Sequence, residues 1–249
     1  MKRNLIYYVC PFKDSELEWK LNIGMIAKYI HIFNNRKIIT IATGENMAHP
    51  SRVLEVMDNA GLNVTDCDIE IQYRENNTRA GEVVPFMEML YSIQSNDPDE
   101  ISFYAHAKGV KPIYSGMADV LENIRVWRNA MYYFCLRDIN EVESVMKTHT
   151  YAGALKRLGG WYGIDWHYSG TFFWFRHDHM FNNAHWQCIR YDWGGVEAYP
   201  GYHAKYNKGY QFLGDMYFNP YNDTKDWKKI LSKADVDYNF LVDMIQPHS

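Results

Sequence analysis

In the first part of the chain, short apolar runs alternate with stretches in which apolar side chains recur every three or four positions. Leu5 to Val9 is a continuous apolar, tyrosine-containing run, the pattern of a strand covered on both faces. Beyond Asp14, the positions Leu17, Leu21, Met25, Ile26, Tyr29, Ile30 and Phe33 keep helical spacing. Ser15 and Glu18 have the separation of a capping box, so a helix is expected to start there and to end near Asn34-Asn35. Ile38 to Ala42, stopped by Thr43-Gly44, predicts a second strand, and Ser51 to Asn59, closed by Gly61, a second helix. Cys67 to Tyr73 alternates apolar with polar, as a strand nearer a sheet edge would. Val83, Phe86, Met87, Leu90 and Ile93 mark a third helix. A breaker at Ser95 to Asp99 then leads into the run from Ile101 to Ala105, which ends in His106-Ala107-Lys108-Gly109.

This alternation predicts an α/β fold, a mostly parallel sheet flanked by helices. In such sheets ligands bind beyond the carboxyl ends of the strands where strand order reverses, which singles out His106 and Lys108. The first turn, Val9-Cys10-Pro11-Phe12-Lys13, contains no glycine, so the phosphate-hugging G-x-G-x-x-G device is missing, and there is no Walker A sequence either. A Rossmann methyltransferase is therefore the weaker α/β option.

The second half reads less cleanly. Gly116 to Lys147 predicts one long or two broken helices, with Arg125 and Arg128 among the apolar positions. Trp161 to Tyr168 fits neither period and is expected to be a functional loop; Ser169 to Arg176 predicts a strand, His177 to Arg190 a mostly helical segment, and Trp193 to Gly201 a loop or helix start. A final helix is expected near Trp227 to Lys233, within a polar and aromatic tail. The chain reads as one domain over 1–249, in two halves, 1–112 and 113–249 with the tail.

Composition narrows the classes. A net charge of −4 and a pI near 6.2 disfavour a nucleic-acid partner bound by broad phosphate neutralisation. Cys10, Cys67, Cys135 and Cys188 are scattered without a C-x-x-C pair, which suggests neither zinc nor a disulfide framework. The apolar run after Met1 is too short for a signal-peptide core, and no stretch reaches the roughly 18 apolar residues of a membrane helix, so a cytoplasmic protein without a transmembrane segment is the expectation. Half of the Phe, Trp and Tyr residues fall between Trp161 and Tyr221, a density compatible with sugar stacking as well as with core packing.

Four separated pieces resemble one family, the glycosyltransferases related to the rhamnan-synthesis F proteins of bacterial polysaccharide pathways. Asn77 followed by Ala80-Gly81-Glu82-Val83-Val84-Pro85-Phe86 resembles the family's Asn-rich loop with Gly-Arg-Asp-Ile before Pro-Phe, with Gly81 in place of the arginine and Glu82 in place of the aspartate. His106-Ala107-Lys108 resembles its His-Thr-Lys, Trp127-Arg128 a Trp-Arg on the following helix, and Ser169 to Arg176 its Gly-Ser-Met-Phe-Trp-x-Arg strand. The resemblance covers residues 77–176 and implies a GT-A type fold, a UDP- or TDP-linked sugar donor and transfer onto a glycan or polysaccharide.

Glycosyl transfer needs a nucleotide pocket, positive charge on the departing diphosphate and, for inversion, a base for the acceptor hydroxyl. His106 and Lys108, with Arg79 or Arg128, are the expected diphosphate ligands; Val9, Pro11, Thr43 and Asn77 are expected around the rest of the donor. Glu197 is the first choice of base, with Asp165 and Asp192 as alternatives. Trp161, Trp166, His167 and Tyr168 are expected on the acceptor side. No cofactor is firmly implied. Mg²⁺ or Mn²⁺ stays open, although Asp66-Cys67-Asp68 and Asp97-Pro98-Asp99, which have Asp-x-Asp spacing, fall at the amino ends of their strands, away from the expected ligand edge. A non-catalytic glycan-binding protein on the same fold is the alternative, and it predicts no affinity for nucleotide sugars.

Overall fold

The computed structural model describes residues 1–64, 68–111, 117–159 and 163–244. Its strands are β1 (Lys2–Val9), β2 (Lys37–Thr43), β3 (Ile69–Glu75), β4 (Glu100–His106), β5 (Tyr151–Leu158), β6 (Trp166–Tyr168), β7 (Phe173–Arg176) and β8 (Gly209–Asp215). Its helices are α1 (Glu16–Tyr29), α2 (Pro50–Asn59), α3 (Val83–Ile93), α4 (Ala118–Leu136), α5 (Ile139–Met146), α6 (His177–Phe181), α7 (Gly195–His203), α8 (Thr224–Lys233) and α9 (Tyr238–Asp243). The strands form one mixed, mostly parallel eight-stranded sheet in the order β3-β2-β1-β4-β7-β5-β6, with β8 paired to β5. The expected α/β class is therefore observed.

The parallel half follows from side-chain alternation. Leu5, Tyr7 and Val9 of β1 enter the core on one face, with Trp19, Ile23 and Ile26 of α1, whereas Ile6 and Tyr8 enter the core on the other, with Phe86 and Leu90 of α3. A strand covered on both faces must be apolar throughout, which is why the run from Leu5 to Val9 was legible. β3 is an edge strand, as its alternation predicts, but it begins at Ile69; Cys67 and Asp66 lie outside the described residues.

Several expectations need correction. Ser15 precedes α1 without a side-chain capping bond, and Glu18 is instead turned inward against Arg125 and Arg128. The helical stretch up to Lys147 breaks in two where Asp138 accepts hydrogen bonds from the amides of Asn140 and Glu141, a side-chain cap that starts α5. Trp166 to Tyr168, expected in a loop, is the strand β6, paired antiparallel to β5. β7 is confined to Phe173–Arg176, because Gly170 and Thr171 turn through positive φ (96° and 66°) just before it. Of the stretch from His177 to Arg190, expected to be mostly helical, only His177–Phe181 is. β5 and β8 were not expected at all.

Among the described residues no helix is long and apolar enough to cross a membrane.

Candidate functional site

β1 lies between β2 and β4 and is parallel to both, so the crossovers leave it in opposite directions and open a switch point between the carboxyl ends of β1 and β4. Register puts Tyr8 beside His106, and the amide of Ala107 still bonds to the Tyr8 carbonyl at 3.0 Å. Beyond that point Asn22 of α1 takes over: its Oδ1 accepts from the Lys108 amide (3.1 Å) and its Nδ2 donates to the Lys108 carbonyl (2.9 Å). Gly109 then turns at φ +84°, where a Cβ would sit 2.7 Å from Ile124 of α4, so only glycine lets the loop close this tightly.

On this edge Glu82, directly before α3, is buried and accepts hydrogen bonds from Tyr104 Oη (2.8 Å) and His106 Nδ1 (2.5 Å). Burial opposes its ionisation, but His106, Tyr104 and Lys108 outweigh that and hold its carboxyl below the usual range. Nε2, the other ring nitrogen of His106, is shielded from solvent and has no hydrogen-bond partner among the described residues. The Lys108 ammonium sits 3.7 Å from the centroid of the Trp127 ring on α4. Burial, reinforced by Lys111 and only partly offset by Glu197 and Glu82, brings its pKa down to about 8. Trp127 Nε1 donates to the Ser169 carbonyl (3.4 Å), and the next amide, of Gly170, donates to Glu197 Oε1 (3.1 Å). His167 Nε2 is 3.8 Å from the same Glu197 oxygen, and burial, more than any other influence, keeps His167 below its ordinary pKa. Glu82, His106, Lys108, Trp127, the Ser169-Gly170 turn and Glu197 thus form one cluster.

The other expected site residues fall variously. Val9 and Pro11 are buried; the Pro11 carbonyl accepts the Ala48 amide, and the Thr43 carbonyl accepts that of Asn76. Asn77 caps its own turn, its Oδ1 taking the amides of Arg79 and Ala80, while its Nδ2 reaches Tyr191 Oη at 3.2 Å. The Arg79 side chain is exposed. Arg128 is fully buried, with Nη1 2.8 Å from Glu18, so its fork braces α4 on α1 instead of facing a ligand. Asp165 is exposed; Asp192 holds Arg190 and accepts the Gly194 amide, ordering the entry to α7. Trp166, His167 and Tyr168 are buried, and the first and last are tied by Nε1 and Oη to the Ala204 and Tyr210 carbonyls, so they brace the core and do not offer an open acceptor surface. Trp161 lies outside the described residues. Asp97 and Asp99 flank the amino end of β4, where Asp97 pairs with Lys2 (2.9 Å). Among the described residues no group of three or more His, Cys, Asp or Glu is arranged to hold a metal ion.

Sequence reasoning missed Asn22, which reads as a helix-interior polar residue, and did not give Glu82 or Trp127 a place in the site although both lie in the quoted motifs. The signal for Glu82 was a carboxylate placed directly before an apolar helix.

No protein-family model matches the chain, and a search of curated proteins returns no match.

Proposed function

We propose that this chain is a GT-A type glycosyltransferase similar to the rhamnan-synthesis F proteins, moving a sugar from a UDP- or TDP-linked donor to a glycan. The observation that carries the reading is the convergence at the switch point of motifs far apart in sequence: Glu82, His106-Lys108, Trp127 and Ser169-Gly170 meet, with Glu197 beside them. In this reading Lys108 places its ammonium on the departing diphosphate, and Glu82, through the Nδ1–H of His106, holds that histidine beside it. Glu197 accepts the acceptor hydroxyl proton as the new bond to the anomeric carbon forms and the bond to the phosphate oxygen breaks. The Gly170 amide fixes the carboxylate's position.

The test is calorimetry with UDP, TDP, their nucleosides and a panel of nucleotide sugars. Binding of a diphosphate well above its nucleoside, together with donor turnover, is expected. No affinity for any nucleoside diphosphate would overturn the reading and favour the glycan-binding alternative.

A further inference from the structure

With Trp166, His167 and Tyr168 packed in the core, the site lacks the aromatic sugar platform expected there. A different tryptophan lies against Gly81, the residue before Glu82. Trp193 is 63% exposed although indole is the largest apolar side chain, and Tyr191 beside it is 56% exposed. Trp193 is not on a remote loop: a Cβ built on Gly81 would lie 3.6 Å from the Trp193 Cα, so its backbone rests on the residue adjoining Glu82. The ring also stands beside a cation, with Lys111 Nζ 5.4 Å from its centroid. Lys111 is the third residue after Lys108, and the two ammonium groups lie close enough to repel each other. Trp193 directly precedes the Gly194 cap of α7, the helix that carries Glu197.

An exposed indole with Lys111 beside its ring, directly before the helix that carries the candidate base, suits a ligand with a flat C–H face joined to an anionic group. A sugar ring beside a diphosphate has that shape and charge. A nucleobase would also stack, but the indole's backbone rests on Gly81, next to Glu82 and its partner Tyr104 of β4, among the residues read as facing the diphosphate.

We infer that Trp193 is the sugar-stacking platform of this site, with Lys111 drawn from the indole toward the diphosphate when donor binds. The inference rests on the transferase reading only for the diphosphate; the stacking itself requires just a saccharide.

The experiment compares the native chain with Trp193→Ala, Trp193→Phe and Lys111→Ala, using calorimetry with UDP, with UDP-glucose and related UDP-sugars, and with neutral oligosaccharides. Thermal melting confirms that each variant folds. Trp193→Ala is expected to leave UDP affinity within about twofold and to weaken the sugar-dependent part of binding by about tenfold or more, on the scale of aromatic contacts; Trp193→Phe should restore part of it. Lys111→Ala should weaken UDP and UDP-sugars alike. Sugar-dependent binding unchanged in a folded Trp193→Ala protein overturns the platform while leaving the transferase reading intact. Oligosaccharide binding lost in Trp193→Ala, with no UDP affinity in the native chain, supports the platform and overturns the transferase. An equal loss of UDP and UDP-sugar affinity in Trp193→Ala would move the indole to the nucleobase and also overturn the inference.

Discussion

The two ends of β4 carry similar residues and use them differently. At its amino end His177, Glu100, Ser102, Asn4 and Ser95 form a buried network: His177 Nε2 meets Ser102 Oγ at 2.7 Å, Nδ1 meets Ser95 Oγ at 2.9 Å, and Glu100 accepts from Ser95 (2.6 Å) and Asn4 (2.7 Å). Both ring nitrogens of His177 are engaged and the ring is fully buried. At the carboxyl end His106 and Glu82 also pair, but there Nε2 of the histidine has no partner among the described residues, and its side chain is 22% exposed. A serine, a histidine and a glutamate in hydrogen-bonding sequence look like catalytic apparatus, yet at the amino end every group is satisfied internally and closed to a substrate. Unspent hydrogen-bonding capacity in a side chain that is itself partly exposed, more than residue type, separates the candidate site from the structural network.

The largest expected effect sharpens that contrast. Glu197→Gln keeps an oxygen for the Gly170 amide but removes the base, so donor turnover should fall roughly 100- to 10000-fold with diphosphate affinity and melting temperature nearly unchanged. Full turnover in this variant would transfer the role to Asp165 or Asp192, whose own amide variants are the next measurement.

Glu100→Ala should do the reverse. Removing a buried carboxylate that three or more groups lean on should cost roughly 3–5 kcal/mol in denaturant unfolding while the surviving folded fraction binds UDP normally. A loss of UDP affinity per folded molecule would break the division between the two ends.

Next in size is Lys108→Ala, for which the loss of a charge-assisted contact should weaken UDP binding by about 1.5–3 kcal/mol and uridine binding hardly at all. Because the Lys108 ammonium titrates near pH 8, UDP affinity in the native chain should decline as pH rises through that value, and the alanine variant should lose this dependence.

The amino end has its own pH signature. Burial pushes His177 down to about 4, outweighing Glu100 and the nearby aspartates. The unfolded chain therefore takes up a proton near the ordinary histidine value while the folded chain resists it. The His177 contribution is complete above about pH 6.5 and is lost as pH falls toward 4, which urea titrations across that range should show as falling stability. His177→Gln should flatten that part of the profile without changing the pH dependence of UDP binding.

The parallel half was legible because local pattern and final environment agree. β1, β2 and β4 are buried on both faces and read as apolar runs, and α2 and α3 keep helical spacing within their observed bounds. His106 and Lys108 were placed at the carboxyl end of β4 by the same logic, since a strand that ends in polar residues announces an edge. β5 was illegible for the opposite reason. Tyr-Ala-Gly-Ala-Leu-Lys-Arg-Leu has few strand-forming residues, and its small side chains answer to neighbours distant in sequence: a Cβ on Gly153 would lie 2.6 Å from Tyr168 and 2.8 Å from the Phe172 carbonyl. No periodicity reports that constraint.

The sequence by itself determined the alternation of strand and helix, the order of the first elements and the placing of His106 and Lys108 at the carboxyl end of β4, because burial on two faces or one is written in local spacing. Tertiary structure alone decided which charged groups spend themselves on one another. Arg128 and Glu18, 110 positions apart, became a buried pair; Trp166 and Tyr168 became core; Glu82 was turned onto His106; and Trp193 was left exposed against Gly81. Those outcomes depend on contacts across the whole chain, and a side chain's exposure and remaining hydrogen-bonding capacity are fixed only once all its neighbours are in place.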